Sequence, residues 1–240
     1  MPKFQVLLIA DSRGKELAHT IPRALQDDGI NDFEIFIKYY PGATIHIALN
    51  RALKYINEIK YNLPNPTVEP FDLIYLSVGV NNLTDKEVTY RLNPTNNKMV
   101  KIIKVKPAFD SSEDIQQHLD TELQIAKATL QQFSKKIVLC HLIGLSISLW
   151  NKAGDIHTKG QDDINTAIPT INRSIDKWNA NDGVISPFMT ELVHKTRHGR
   201  MGHRYVTCLR DGVHYSQTLI NKITRNFVRT LLHNIHATAN

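Results

Sequence analysis

The segment Phe4-Gln5-Val6-Leu7-Leu8-Ile9-Ala10-Asp11-Ser12-Arg13 decides the fold, because a mainly apolar run passes directly into a polar turn. A short apolar run bounded by turn residues is typical of a buried strand in a parallel sheet. Residues 17–25 then have the spacing of a short helix, although Pro22 lies among them. The chain therefore begins as a strand, a turn that contains Ser12, and a helix.

The same alternation of apolar runs and amphipathic stretches continues to the end of the chain. It predicts a three-layer α/β/α domain with a flavodoxin-like parallel sheet of about five strands. A length of 240 residues suits one domain, which we assign to residues 1–240. Beyond the first strand and helix, strands are predicted at 33–37, 71–78, 136–143 and 184–185, and helices at 43–61, 115–133, 162–178 (with a kink or break at Pro169) and 216–235.

Residues 84–114 interrupt this alternation, and we interpret them as an insertion within the domain. Residues 88–92 and 99–105 have the pattern of two strands. The residues between them, 93–97, are rich in asparagine and predict the turn of a hairpin.

Composition narrows the class of protein. With 42% hydrophobic and 22% charged residues, the chain is typical of a soluble globular protein. The first residues lack the features of a secretory signal, and the longest apolar stretch, 137–150, is too short to span a bilayer. We therefore expect an intracellular protein, cytoplasmic or nuclear. The two cysteines, Cys140 and Cys208, have no paired spacing, so we expect neither a disulfide framework nor a metal site.

Three polar or small residues follow three successive predicted strands: Ser12, Gly42 and Asn81. The carboxyl ends of parallel strands meet at one edge of the sheet, so we expect these residues to surround one cleft. Near the other end of the chain, Asp211 and His214 lie three residues apart before the last helix. Serine is a weak nucleophile that needs an adjacent base, itself held by a third group.

Each of these residues also has an ordinary structural explanation when it is taken alone. Ser12 is a suitable helix cap, and Gly42, Asn81 and the Asp211-Gly212 pair are common in turns. The order and placement of the whole set, rather than any single member, predict a site for nucleophilic hydrolysis.

This order resembles the SGNH hydrolase family, the GDSL-type esterases and lipases. The family carries a serine block, a glycine block, a Gly-x-Asn block and an Asp-x-x-His block. The corresponding segments here, spread over almost the whole chain, are Asp11-Ser12, Gly42, Gly79-Val80-Asn81 and Asp211-Gly212-Val213-His214. The chain departs from the family at Ala10, where the family has glycine, and at Asn82, where it commonly has an acidic residue.

The resemblance implies a serine esterase that acts on carboxylic esters, acyl or acetyl, without a metal or organic cofactor. Ser12 would be the nucleophile, His214 the base and Asp211 the residue that orients the base. The backbone N–H groups of Ser12 and Gly42 and the side-chain amide of Asn81 would form the oxyanion hole. The apolar stretch 142–150 is interpreted as an acyl pocket or lipid contact, with burial in the core as the alternative.

The net charge of +6 favours a second class of function. The alternative is a scaffold of this kind that binds nucleic acid or anionic lipid through its basic loops, within a larger protein. Domains of this family also occur in retrotransposon open reading frames. The candidate basic residues are Lys98, Lys101, Lys104 and Lys106 in the insertion, and His194, Lys195, Arg197, His198, Arg200, His203 and Arg204 before the Asp-His segment.

Overall fold

The computed structural model describes residues 3–61, 70–152, 157–188, 194–197, 200–203 and 205–236, with the backbone alone for 194–206 and 236 within these ranges. Strands and helices alternate along most of the chain. In chain order the elements are β1 (Phe4–Ala10), α1 (Gly14–Asp27), β2 (Phe33–Tyr39), α2 (Ile45–Tyr61), β3 (Phe71–Ser77), a 3₁₀ turn (Val80–Asn82), β4 (Thr84–Leu92), β5 (Met99–Pro107), α3 (Ser112–Leu130), β6 (Ser134–Leu139), α4 (Ile147–Trp150), α5 (Thr158–Asn181), β7 (His194–Arg197), β8 (Arg200–His203), α6 (Tyr205–Cys208) and α7 (Gln217–His236).

A parallel sheet with the strand order β2-β1-β3-β6 forms the centre of the molecule. Alternate side chains of β1 enter opposite core layers. Leu7 and Ile9 pack with apolar residues of α2, α3 and α5, whereas Val6 and Leu8 pack with those of α1 and α7. Helices therefore cover both faces of the sheet, and the predicted three-layer α/β/α class is confirmed.

The sheet has four strands in the described residues, where about five were predicted. The predicted strand at 184–185 pairs with a side chain instead of a neighbouring strand. The N–H of Ile185 donates to Asn234 Oδ1 at 2.8 Å, and Asn234 Nδ2 donates back to the carbonyl of Ile185 at 2.9 Å. Asn234 on α7 is fully buried, so its amide satisfies this extended segment in place of a ladder partner.

Helices α1 and α5 each contain a proline and continue past it. Helix α1 contains Pro22 and α5 contains Pro169, where the sequence predicted a kink or break. In α5 the apolar side chains Ile164, Ile168 and Ile171 are buried on both sides of that proline. Their burial against the core keeps the helix continuous although proline removes one backbone hydrogen bond.

The predicted hairpin is present as β4 and β5, which pair in antiparallel register over nine residues each and extend beyond the predicted strands. Asn93 organises its tip. The N–H of Asn93 donates to the carbonyl of Lys98 at 2.9 Å, and the carbonyl of Asn93 accepts from the N–H of Asn97 at 2.9 Å. Asn97 takes a left-handed conformation with φ of 53°, which asparagine tolerates better than most residues.

The apolar stretch 142–150 belongs mainly to the core. Leu142, Ile143, Leu145 and Ile147 are buried, and only the end of the stretch, at Trp150 and its two preceding neighbours, is partly accessible. No helix within the described ranges has the length and apolar character needed to cross a membrane.

Candidate active site

Ser12 lies in the tight turn between β1 and α1. A Cβ atom at Gly14 would lie 2.4 Å from Ala10 Cβ, so glycine is required for α1 to begin this close to the strand. The N–H of Gly14 donates to the carbonyl of Asp11 at 3.0 Å and closes the turn. Ser12 is half-buried, and neither its Oγ nor its backbone N–H has a hydrogen bond within the described part of the chain.

The loops that carry Gly42 and Asn81 are joined to each other. Asn81 Nδ2 donates to the carbonyl of Ala43 at 3.1 Å, and the backbone N–H of Ile45, the first residue of α2, donates to Asn82 Oδ1 at 2.9 Å. Asn82 thus supplies an acceptor where the family commonly has an acidic residue. Both loops follow strands adjacent to β1, so they lie at the same edge of the sheet as Ser12.

The three residues predicted for the oxyanion hole retain donor capacity. Gly42 has a φ of +71°, in the region that favours glycine, and its N–H has no acceptor among the described residues. An amide nitrogen carries two hydrogens, so the bond to Ala43 leaves one on Asn81 Nδ2. Together with the N–H of Ser12, three donors at this edge are available to an anionic oxygen.

Asp211 and His214 form a close pair in the loop before α7. The ring Nδ1 of His214 is 2.8 Å from Asp211 Oδ2, and the backbone N–H of His214 donates to Asp211 Oδ1 at 2.8 Å. The N–H of Val213 donates to the same oxygen at 3.1 Å. Partial burial acts to raise the pKa of Asp211, but these donors outweigh it and hold that pKa below its ordinary value. The carboxylate therefore stays ionised against the imidazole.

Gly212 allows this loop to pack against α4. A Cβ at Gly212, where φ is +88°, would lie 2.4 Å from the carbonyl oxygen of Ser146. The N–H of Ser146 donates to the carbonyl of Gly212 at 2.7 Å. This approach puts the ring of Trp150 at 6.3 Å from the ring of His214, measured between centroids.

Arg13 connects the serine turn to the histidine loop. Its Nε donates to the carbonyl of Val213 at 2.9 Å, Nη2 donates to the carbonyl of Gly144 at 2.9 Å, and Nη1 donates to the carbonyl of Ile143. The guanidinium also lies over the ring of Tyr215, 5.0 Å from its centroid. Only 4% of Arg13 is exposed, so this buried cation ties its own turn to two further loops through three backbone carbonyls.

Asp11 places a buried carboxylate in the same region. Burial raises its pKa, while the charge of Arg13, the N–H of Arg13 and the charge of His214 act in the opposite direction. The N–H of Arg13 donates to Asp11 Oδ1 at 2.9 Å. Asp11 is thus close enough to the Arg13 guanidinium and to the His214 ring for both to act on its pKa, which is a second sign that the two ends of the chain meet here.

The structure brings the predicted residues to one region without joining all of them. Gly42 and Asn81 lie on linked loops beside the serine turn, and Asp211 is bonded to His214. No hydrogen bond joins Ser12 Oγ to His214 within the described residues.

Sequence reasoning missed the role of Arg13 and the contact of Trp150 with the His214 ring. The one available signal for Arg13 was a cation directly after a buried strand and beside the candidate nucleophile. The basic side chains predicted between 194 and 204 lie outside the described side chains. Among those that are described, no group of three or more His, Cys, Asp or Glu residues could hold a metal ion.

The sequence matches no family model and no curated protein, but the structure resembles solved esterases. A catalytic mutant of Axe2, an acetylxylan esterase from Geobacillus stearothermophilus, aligns with 96% of this chain and 95% of its own, at a TM-score of 0.53 and 13% identity. The psychrotrophic esterase EstA from Pseudoalteromonas sp., inhibited by monoethylphosphonate, aligns over 95% and 96%, at a TM-score of 0.52 and 10% identity. The chain has the fold of these esterases. The likeness confirms the predicted SGNH hydrolase fold, while the resemblance to retrotransposon domains stays a prediction.

Proposed function

We propose that this protein is a serine esterase that hydrolyses carboxylic esters, with Ser12, His214 and Asp211 as its triad. The observation that carries the proposal is the bond from Arg13 Nε to the carbonyl of Val213 at 2.9 Å. Arg13 follows Ser12 and Val213 precedes His214, so this contact supports a functional pairing of residues two hundred positions apart in the chain.

In the proposed reaction, Ser12 Oγ attacks the ester carbonyl carbon while its proton passes to His214 Nε2. The C–O bond to the alcohol then breaks, and the alcohol leaves with the proton from Nε2. Water next attacks the acyl-serine, giving its proton to Nε2, and Ser12 regains a proton as the carboxylic acid departs. Asp211 holds Nδ1, which leaves Nε2 as the ring nitrogen that handles every proton.

The oxyanion formed in both halves of the reaction would be held by the N–H groups of Ser12 and Gly42 and by Asn81 Nδ2. Support comes from their free donor capacity, because preorganised donors stabilise the developing charge without reorganisation. The hydrogen bond from Ser12 to His214 would form as substrate binds, since catalytic bonds are often long in the free enzyme.

The substrate class that we propose is a small acyl ester, acetyl esters included. The fold neighbour Axe2 is an acetylxylan esterase, and variants of it that replace a serine or an aspartate by alanine are catalytic mutants. Near the imidazole, Trp150 supplies a half-buried apolar surface that suits a short acyl group.

The test is covalent labelling with a fluorophosphonate probe, combined with hydrolysis of p-nitrophenyl acetate. The unchanged protein should be labelled at Ser12 and should cleave the ester. Ser12→Ala should abolish labelling, and Asn81→Ala should lower the hydrolysis rate by about 10²–10³. The matched control Asn50→Ala, an exposed asparagine on α2, should hydrolyse at the original rate. Labelling that persists in Ser12→Ala, or equal rates in both asparagine variants, would contradict the proposal.

A further inference from the structure

The β4–β5 hairpin has one mainly apolar face and one face that is charged near the base of the hairpin. Residues directly opposite each other in an antiparallel pair point to the same side, and alternate residues along a strand share a side. On the charged face, Asp85 is opposite Lys106 and Glu87 is opposite Lys104. The other face combines Lys86, Val88, Tyr90 and Leu92 with their partners Val105, Ile103, Lys101 and Met99.

The apolar face is buried only at its base. Val105 is 4% exposed and belongs to the core, whereas Tyr90 is 62%, Leu92 52% and Met99 61% exposed. Six residues of strand separate Val105 from Met99, a distance of about 20 Å. We call residues 88–103 the outer hairpin, because this part extends away from the core.

The outer hairpin is also cationic. It contains Arg91, Lys98 and Lys101 and no acidic residue. The two acidic residues of the hairpin, Asp85 and Glu87, both lie at its base. Exposed apolar side chains and positive charge therefore occur together at the tip.

The base of the hairpin adjoins the candidate site on two sides. A Cβ at Gly42 would lie 3.0 Å from Lys86 Nζ, so the Lys86 side chain reaches the proposed oxyanion loop. On the other strand, the N–H of Val105 donates to Asn151 Oδ1 at 3.0 Å, and Asn151 Nδ2 donates to the carbonyl of Val105 at 2.9 Å. Asn151 directly follows Trp150. The base of the hairpin, from which the outer hairpin extends, thus contacts both the Gly42 loop and the segment that follows Trp150.

We propose that the outer hairpin docks on the surface of an anionic lipid bilayer. Apolar side chains enter the boundary between headgroups and acyl chains, and the cations pair with anionic headgroups. Buried apolar area and electrostatic attraction are the two contributions that control binding at a membrane surface. Charge complementarity and continuity with the site select this partner. Delivery of a lipid ester to Ser12 rests on the proposed function, whereas docking itself does not.

The side-chain types favour lipid over nucleic acid. Single-stranded nucleic acid is bound by aromatic side chains on which bases stack. The exposed apolar residues of the outer hairpin are mainly aliphatic, with Tyr90 as the one aromatic side chain in residues 88–103. Aliphatic side chains suit an acyl boundary instead.

The experiment is cosedimentation of the full chain carrying Ser12→Ala with vesicles of phosphatidylcholine, pure or mixed equally with phosphatidylglycerol. Binding is expected on the mixed vesicles, with weakening as salt rises. A triple variant, Tyr90→Ser, Leu92→Ser and Met99→Ser, should bind at least tenfold more weakly. The matched control replaces exposed apolar residues elsewhere and should bind as before: Tyr61→Ser, Ile125→Ser and Leu232→Ser.

A second variant pair tests the charge. Substitution of Arg91, Lys98 and Lys101 by glutamine should reduce binding to mixed vesicles at least tenfold. The same substitution at three exposed cations on helices α2 and α7 should leave binding unchanged: Lys54, Lys222 and Arg225.

Docking is overturned if either hairpin variant binds as well as its control, or if both kinds of vesicle bind equally. It is also overturned if the outer hairpin instead retains a single-stranded oligonucleotide, or joins two copies of the chain in sedimentation analysis without vesicles. Fluorophosphonate labelling of the unchanged protein without lipid tests the esterase separately, so the two proposals can fail independently.

Discussion

In the part of the chain that the structure describes, two histidine side chains each pair with an aspartate, at almost equal distances and in different surroundings. His214 Nδ1 lies 2.8 Å from Asp211, and His141 Nε2 lies 2.7 Å from Asp176. His141 follows β6 at the carboxyl end of that strand, and His214 lies in the loop between α6 and α7. Pair geometry alone therefore does not identify a catalytic site.

The difference lies in what the serine near each pair does. Ser186 Oγ accepts from the N–H of His141 at 2.9 Å and from that of Phe188 at 3.2 Å, and it donates to the carbonyl of Phe188 at 2.9 Å. Its hydroxyl proton is already committed, and His141 Nδ1 is buried without a partner in the described residues. Ser12 Oγ, by contrast, has no such bonds among the described residues. The structure thus separates a serine that stabilises a turn from one whose hydroxyl has no partner in this part of the chain.

The largest expected difference is between the two histidines. His214→Ala should lower kcat for p-nitrophenyl acetate by about 10³-fold or more, because it removes the proposed base. His141→Ala should leave kcat within about threefold. Steady-state kinetics on both variants, with circular dichroism to verify folding, measures this. A larger loss from His141→Ala would assign the catalysis to the other pair.

The expected difference in kcat between variants of the two aspartates is somewhat smaller. Asp211→Asn should reduce kcat by about 10²–10⁴-fold, since an amide cannot hold His214 in the required tautomer or stabilise its charged form. Asp176→Asn is the control, and its kcat should stay close to the original value. Equal kcat for the two variants would show that the Asp211 pair has no special role.

A third comparison concerns Arg13, which ties the His214 loop to the serine turn and has no counterpart at His141 among the described residues. Arg13→Lys should lower the free energy of unfolding by about 2–4 kcal/mol, because an ammonium cannot reproduce a planar fork on three carbonyls. Arg173→Lys, at an exposed arginine of α5, should change it by about 0.5 kcal/mol at most. Urea denaturation gives both values, and equal losses would remove the structural role assigned to Arg13.

The smallest effect is the pH dependence of stability. The pKa of Asp211 is lowered by folding, so its carboxylate stabilises the fold above its ordinary pKa of 3.8, and this contribution is lost as pH falls through the folded-state pKa. The side chain is 43% exposed, so we expect about 1 kcal/mol or less. The difference in free energy of unfolding between the original protein and Asp211→Asn should shrink below pH about 4. Urea titrations from pH 3 to 7 measure it, and a difference that grows toward acid would have the wrong sign.

Much of the fold was predictable, because buried segments have a recognisable pattern of apolar residues in the sequence. The apolar run of β1 predicted a buried strand, and the asparagine-rich turn predicted the tip of the β4–β5 hairpin. The sequence also predicted that the loops with Ser12, Gly42 and Asn81 follow strands and lie at one edge of the sheet. These features depend on local pattern and on the general rule that parallel strands end at one edge.

The remaining features depend on contacts between distant side chains, which periodicity does not encode. A buried amide, Asn234, takes the place of a strand partner beside Ile185, and nothing around residue 234 indicates this. Similarly, the bonds of Arg13 to Val213 and Gly144 require the folded chain. A cation next to a serine looks like a surface residue until its acceptors, far along the sequence, are known.

The contact between Arg13 and Val213 has a consequence for the synthesis of the chain on the ribosome. The guanidinium enters the interior early in the chain, but one of its acceptors is synthesised two hundred residues later. A chain released before residue 213 lacks this acceptor, the Tyr215 ring and α7, so its Arg13 loses partners that it has in the folded protein. Premature termination should therefore yield copies that are easily degraded. Completion of synthesis, stability and the assembly of the Ser12–His214 region are thereby linked in one side chain.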